Sequence, residues 1–438
     1  MNNDSLKIAY LTSGAAGMFC GSCMHDNTLA RALIKLGCDV QLIPLYTPIR
    51  TDEESVAVDR VFLGGINVYL QQRFSLFRYL PAWLDRLLDQ PRLLAWATSR
   101  GMQTSARQLG ELAVSVLQGD LGFQRKEVER LASWLGGELQ PEIIVFSNML
   151  TAGSVPAIKR RLQVPVVVTL QGDDIFLQDL LEPYKSKALA EIRRLIPHVD
   201  GFLVNSEFYA DFMADYLGAP REKFHIVPLG LDLTDYRDFL DPDQSSQRPP
   251  TIGYLARLAP EKGLHVLVDA FLELHRSQAS SARMRIAGWL GEQHRSYAEE
   301  QFAKLRAAGL TDKFEHVGEV DRRGKLEFLR SIDVLCVPTT YREPKGLFAL
   351  EALAAGVPVV LPNHGAFPEL LTRTGGGVLA PPGDSSAFAE QLVRLLNDPI
   401  ERRRLGRAGQ TAVHADCTAQ LMAEQMLITL HSIMAVKL

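Results

Sequence analysis

Short apolar runs alternate with longer stretches of helical period along most of the chain. LKIAYLT, at 6–12, reads as a buried strand; a glycine-rich loop follows, then a helix from about Asp26 to Leu36 that Gly37 stops. DVQLIPLY, EIIVFS, VPVVVTL, DGFLVN and FHIVP continue the strand series, with helical segments between most of them. Continuous apolar strands joined by helices predict a parallel sheet covered on both faces. Near 240 the texture changes. LDPDQSSQRPP is polar and proline-rich and reads as a linker, after which TIGYLA, RMRIAG, FEHVG, DVLCVP, PVVLP and GGVLA restart the alternation. The pattern therefore predicts an α/β chain of two doubly wound, Rossmann-like domains: 1–240, a linker at 241–250, and 251–416.

Two segments stand outside this rhythm. From 69 to about 135 there is no convincing strand, so a helical insertion is expected in the first domain. It carries Phe74, Phe77, Tyr79, Trp83 and Trp96 among several arginines. One reading is an extra packed helical layer. The other is an acceptor lid, or a peripheral contact with a membrane surface through 69–108, where arginines meet headgroups and aromatic rings enter the interface. The tail from Cys417 to about Val436 reads as a helix that belongs to neither sheet by pattern.

Composition narrows the class. With 47% apolar and 22% charged residues, the 438-residue chain is of ordinary globular type and long enough for two cores. A net charge of −4 gives no basic footprint for nucleic acid. No apolar run reaches the ~18–20 residues of a membrane span, and the start lacks the order of a signal peptide. The five cysteines are scattered, so reduced thiols and a cytoplasmic location are expected. Cys20 and Cys23 form an isolated C-x-x-C, for which free thiols are the expected state and metal or redox use the alternative.

Ligands of open α/β sheets sit beyond the carboxyl ends of the strands, which directs attention to the segments just after them. After the first strand, Gly14, Gly17 and Gly21 permit close backbone approach ahead of a helix N-terminus; a dinucleotide fingerprint does not fit their spacing. After VPVVVTL come Gln171, Gly172, Asp173 and Asp174. Their acids suit sugar hydroxyls or proton handling, or a helix cap. After TIGYLA, Arg257 and Lys262 flank a turn that opens a helix, where two cations would hold a diphosphate. After DVLCVP, Glu343 precedes a Pro-Lys-Gly turn, and the first amides of the next helix lie near Gly346, Leu347 and Phe348. Glu351 stands about one and a half turns into that otherwise apolar helix. Carboxylates accept hydroxyl hydrogen bonds in pairs, which suits a hexose or a ribose. The plain alternatives are a cap for Glu343 and a surface face for Glu351.

These stretches resemble a known family. EPKGLFALE is similar to the Glu-x7-Glu signature of family 4 retaining glycosyltransferases with the GT-B fold, and ARLAPEKG to their Arg-to-Lys diphosphate motif. The glycine-rich loop matches more loosely. The resemblance implies two domains facing across a cleft, with a terminal helix, about 417–438, crossing back onto the first. It implies that Arg257 and Lys262 neutralise a donor diphosphate without a metal or other cofactor, that Glu343 contacts the transferred sugar, and that Glu351 binds the ribose. The amides of Gly346 to Phe348 would support the phosphates. The partners implied are a nucleotide sugar and a carbohydrate, lipid or small-molecule acceptor. Gln171 stands where the family often has histidine, and Lys345 where many members have an apolar or acidic residue. Other readings of the same architecture are a sugar-nucleotide epimerase or hydrolase, and a non-catalytic nucleotide-sugar-binding protein.

Overall fold

Valine-rich runs such as VVVT at 166–169 and VVLP at 359–362 are buried at every position, as central strands of a covered parallel sheet must be. The computed structural model describes residues 5–14, 21–58, 61–63, 68, 71–72, 106–239, 248–277 and 281–436. Within these it contains two six-stranded sheets. The first is built from β1 (Lys7–Thr12), β2 (Asp39–Pro44), β3 (Ile143–Phe146), β4 (Val166–Thr169), β5 (Gly201–Val204) and β6 (Phe224–Ile226), in the order β2-β1-β3-β4-β5-β6. The second contains β7 (Thr251–Leu255), β8 (Arg283–Ala287), β9 (Phe314–Gly318), β10 (Val334–Cys336), β11 (Val359–Pro362) and β12 (Gly377–Ala380), in the order β12-β11-β10-β7-β8-β9. Every strand pairing in both is parallel. All twelve strands fall on strand segments read from the sequence, although β9, FEHVG, has no fully buried position.

Each sheet reverses its winding once: at β1 and β3 in the first, at β7 and β10 in the second. The chains leave neighbouring strands in opposite directions there, opening a crevice beyond the strand ends.

The chain divides into two compact units, Met1–Pro228 with Gln420–Leu438, and Leu229–Ala419. Leu229, Leu231 and Tyr236 are buried in the second core, so the division falls ahead of the polar stretch at 241–250. The last helix, Ala419–Ala435, packs on the first unit: a Cβ on Gly201 of β5 would come within 2.8 Å of Ile433 Cδ1. The helix after β1 starts at Gly21 and ends at Lys35, about five residues earlier than its apolar pattern indicates at the start. Its first turn is Gly-Ser-Cys-Met, whose composition resembles the loop before it. In the expected insertion, Ala106–Gln118 and Arg125–Trp134 are helices, while 73–105, with Phe74, Phe77, Tyr79, Trp83 and Trp96, lies outside the described residues. Among the described residues no helix is long and apolar enough to cross a membrane.

Ile433 is 6% exposed and Ile428, on the same helix, 63%. Ile433→Ala should therefore destabilise the first unit by about 2–5 kcal/mol. Ile428→Ala should stay within about 0.5 kcal/mol. Denaturant unfolding of both variants checks this; equal effects would show that the helix does not pack as described.

Candidate functional site

The polar groups of the second unit gather at its switch point. β7 ends at Leu255, and the turn beyond it carries both cations. The Tyr254 hydroxyl braces that turn, 3.1 Å from the Arg257 carbonyl oxygen and 3.3 Å from that of Lys262. Gly263 closes it with φ +75°, and a Cβ there would stand 1.8 Å from the Pro338 carbonyl oxygen, so only glycine lets this turn lie against the segment leaving β10. The Thr340 amide donates to the Glu261 carbonyl at 2.9 Å and ties the two segments together.

That contact brings Lys262 to Glu343. Lys262 Nζ donates to Glu343 Oε2 at 2.8 Å, with the two side chains 13% and 6% exposed. The Tyr341 hydroxyl donates to the same oxygen and also bonds Lys262 Nζ, while the Gly346 amide reaches Oε1 at 3.3 Å. Burial pushes the Glu343 carboxyl up, but the Lys262 ammonium, the Tyr341 hydroxyl and the Gly346 amide outweigh it and bring it down to about 2. The Tyr341 phenol is pushed far up, by burial first and then by the Glu343 charge, so it stays a neutral donor. Arg257 is less enclosed, its side chain 40% exposed, and pairs with Glu261 at 3.1 Å.

Gly346 takes φ +75° as the residue before the helix Leu347–Ala354, and turns the chain so that the helix starts beside this pair. The Phe348 ring lies 5.7 Å from Lys262 Nζ. Glu351 is 7% exposed in the second turn and is held at 2.5 Å by Lys325 Nζ, from the helix Arg322–Arg330. The structure thus joins Lys262, Glu343, Gly346 and Phe348 in one cluster, and gives Glu351 a buried ion pair of its own.

In the first unit the strand ends carry a mostly neutral polar set. Ser13 and Gly14 follow β1; Ser147 and Asn148 follow β3, with Asn148 Nδ2 donating to Ser13 Oγ at 3.1 Å. Gly14 has φ +79°, and a Cβ on it would meet the Thr47 carbonyl oxygen at 2.1 Å. Gly17 and Cys20 lie outside the described residues; Cys23 is buried. Asp173 directs Oδ1 to the Met149 amide at 2.6 Å and Oδ2 to the Gln171 amide at 3.0 Å. Neither amide belongs to the helix Asp173–Asp179 that Asp173 opens, and that helix has no side-chain cap, so the helix-cap reading does not hold. Burial raises its carboxyl to about 6, against the pull of those amides.

Gln171 Nε2 donates to Asp26 Oδ1 at 2.8 Å and to the Ser147 carbonyl at 3.2 Å. Asp26 is fully buried and also accepts from the Tyr10 hydroxyl at 2.9 Å and Thr12 Oγ1 at 2.7 Å. Three participants were missed in the sequence: Tyr341, Lys325 and Asp26. Tyr341 stands two residues before Glu343. Lys325 shares the buried spacing of Phe328 and Leu329. Asp26 interrupts a helix interior.

Comparisons with known proteins concern the fold and the family. Residues 27–230 match the family model described as glycosyl transferase 4-like domain, and 237–412 that of glycosyl transferases group 1. The chain is 32% identical over 201 residues to a phosphatidyl-myo-inositol mannosyltransferase of Mycobacterium leprae; the match covers 44% of this chain and 51% of the relative, so it spans about half of that protein. Sucrose-phosphate synthase from Thermosynechococcus elongatus superposes with a TM-score of 0.69 at 20% identity, over 98% of this chain and 100% of the other. HepE from Anabaena, solved in complex with UDP, gives 0.66 at 17% identity, over 98% and 100%. The fold is thus the two-domain α/β architecture called GT-B. The chain belongs to the family 4 type glycosyltransferases that the two models describe.

The depressed Glu343 carboxyl fixes a pH dependence. An acid whose folded pKa lies below its unfolded value stabilises the fold above the unfolded pKa, and that contribution disappears as pH falls through the folded one. From the ordinary 4.5 of a glutamate down to about 2, the contribution is about 3 kcal/mol. The difference in unfolding free energy between the native protein and Glu343→Gln should be constant above about pH 5 and shrink by roughly that amount toward pH 2. A flat difference across this window would show that Glu343 is not held ionised by its neighbours.

Proposed function

We propose that the protein transfers a hexose from a nucleotide-diphosphate sugar to an acceptor hydroxyl, with the anomeric configuration retained and no metal in the reaction. The observation that carries this reading is the packing of Lys262 against Glu343 at the second unit's switch point, with Arg257 on the same turn and a helix start beside them. A sugar diphosphate needs such a set. Its leaving group is an anion, and its ring offers hydroxyls to an ionised, acceptor-only carboxylate. UDP in the HepE complex, and the mannosyl transfer named for the M. leprae relative, support a nucleotide donor and a hexose.

In the proposed reaction Arg257 and Lys262 neutralise the diphosphate, and the amides of Gly346, Leu347 and Phe348 add the positive end of a helix. Lys262 then turns part of its hydrogen bonding from Glu343 to a phosphate oxygen. Glu343, still fixed by Tyr341 and Gly346, accepts from the sugar hydroxyls. Glu351 accepts from the ribose.

The bond between the anomeric carbon and the β-phosphate oxygen breaks, and its electron pair leaves with the phosphate. The acceptor oxygen bonds the anomeric carbon on the face the phosphate leaves. The acceptor's proton passes to the departing phosphate oxygen, so no protein base is consumed. Gln171, an amide that neither gives nor takes a full proton, suits a reaction in which the leaving group is the base. Asp173 positions Gln171 through its backbone amide. The neutral strand-end groups Ser13, Asn148 and Gln171 offer hydrogen bonds to a hydroxyl-rich acceptor, whether carbohydrate, lipid headgroup or small polyol.

The test is a panel of nucleotide sugars, read first by thermal shift and then by proton NMR of the product's anomeric signal with an acceptor mixture. A donor should raise the melting midpoint, Glu351→Ala should abolish that rise, and the product should keep the donor's anomeric configuration. Arg257→Ala and Lys262→Ala should each lower kcat/KM by about 100-fold or more. Inversion at the anomeric carbon, or activity lost to a chelator and restored by metal, would refute the mechanism.

A further inference from the structure

In the segment RRGKLEFLR a lysine at 325 looks like one more surface cation. Helical geometry says otherwise. Residues three and four apart share a face, and Phe328 and Leu329, at those distances from Lys325, are 2% and 0% exposed. The helix Arg322–Arg330 is fixed at its start by Asp321, whose Oδ1 accepts the Gly324 amide at 2.8 Å. Lys325 is therefore directed into the core and is 8% exposed. An ammonium there is tolerated only against an opposite charge. Its Nζ stands 2.5 Å from Glu351 Oε1.

The same argument applies to Glu351, whose helix, LFALEALA, is otherwise apolar. A carboxyl enclosed in such surroundings drifts toward its neutral form, in which one oxygen becomes a donor and no longer accepts. A cation within hydrogen-bond reach opposes that drift and fixes the plane of the carboxylate before any ligand arrives.

We infer that Lys325 is a positioning residue of the donor site: it keeps Glu351 ionised and oriented as an acceptor for the ribose hydroxyls, and thereby sets the preference for ribonucleotides over deoxyribonucleotides. This rests on the reading of Glu351 as the ribose-binding acid. It gives a residue on a neighbouring helix a share in nucleotide selectivity without contact with the transferred sugar.

The experiment is calorimetric titration of the full chain with UDP, GDP and ADP, each beside its 2′-deoxy form, together with donor kinetics. The native protein should favour the ribo form of its nucleotide by about tenfold, the worth of one hydrogen bond to a charged group. In Lys325→Met that preference should fall below about twofold. Donor KM should rise about tenfold while kcat at saturation stays within about twofold, because only ground-state nucleotide binding is altered. Lys325→Arg, which keeps the charge, should restore part of the preference. If the methionine chain does not fold, Lys325→Gln, which keeps a donor without the charge, should show the same loss.

A folded Lys325→Met or Lys325→Gln protein with an undiminished preference would overturn the inference and leave the pair a tie between helices. A native protein with no ribose preference, or a Glu351→Ala variant that binds unchanged, would remove the ribose reading of Glu351 itself.

Discussion

A carboxylate withdrawn from water must find a cation or revert to its neutral form, and this constraint organises the second unit. Glu343 is enclosed almost completely, yet its carboxyl is held far on the ionised side because Lys262, Tyr341 and the Gly346 amide all point at it. Removing one partner of such a pair costs several kcal/mol. The turn after β7 and the segment after β10 therefore have to meet, and the backbone is built for it: glycine at 263, and the Thr340 amide on the Glu261 carbonyl. The pair joins the two elements that flank the switch point.

The same electrostatic arrangement underlies the proposed chemistry. An enclosed ammonium whose partner is a carboxylate can exchange that partner for a phosphate oxygen with little reorganisation, since both are anionic acceptors. The carboxylate keeps two other donors through the exchange. In the proposed reaction this would be preorganised charge stabilisation, in which the donors stand in place before the leaving group develops its charge. The first unit uses the opposite economy. Asp26 is buried among donors from Tyr10, Thr12 and Gln171, with His25 Nδ1 at 3.4 Å, and Asp173 accepts from backbone amides. Those groups fix the orientation of an amide, and the strand ends there offer neutral hydrogen bonds.

Much of the architecture was legible in the residues because strands of a covered parallel sheet have no polar face. Runs such as IIVF and VVVT admit few other interpretations, and their alternation with helices dictates the winding. The start of the first helix was less visible, since Gly21 and Ser22 have loop composition although their backbone is helical. Of the site, Arg257, Lys262, Glu343 and Glu351 could be picked out by their position after strands or within an apolar helix. Their partners could not be paired by eye. Tyr341 reads as one more aromatic residue beside a core strand. Lys325 reads as surface charge, and which carboxylate it meets depends on packing against a helix that places Glu351 26 residues further along the chain. Asp173 is a further case: the pattern marks an acid at a strand end, and only the fold shows that it also accepts the Met149 and Gln171 amides. Local pattern tells where a charge sits; the third dimension tells what it faces.

The most direct test of the central claim, that Lys262 and Arg257 grip a nucleotide diphosphate beside Glu343, is a crystal structure of the protein with its nucleoside diphosphate bound. The account predicts phosphate oxygens within hydrogen-bond distance of Lys262 Nζ and the Arg257 guanidinium, with Glu343 still bonded to Tyr341. A diphosphate seated elsewhere, with Lys262 and Glu343 paired as they are now, would contradict it.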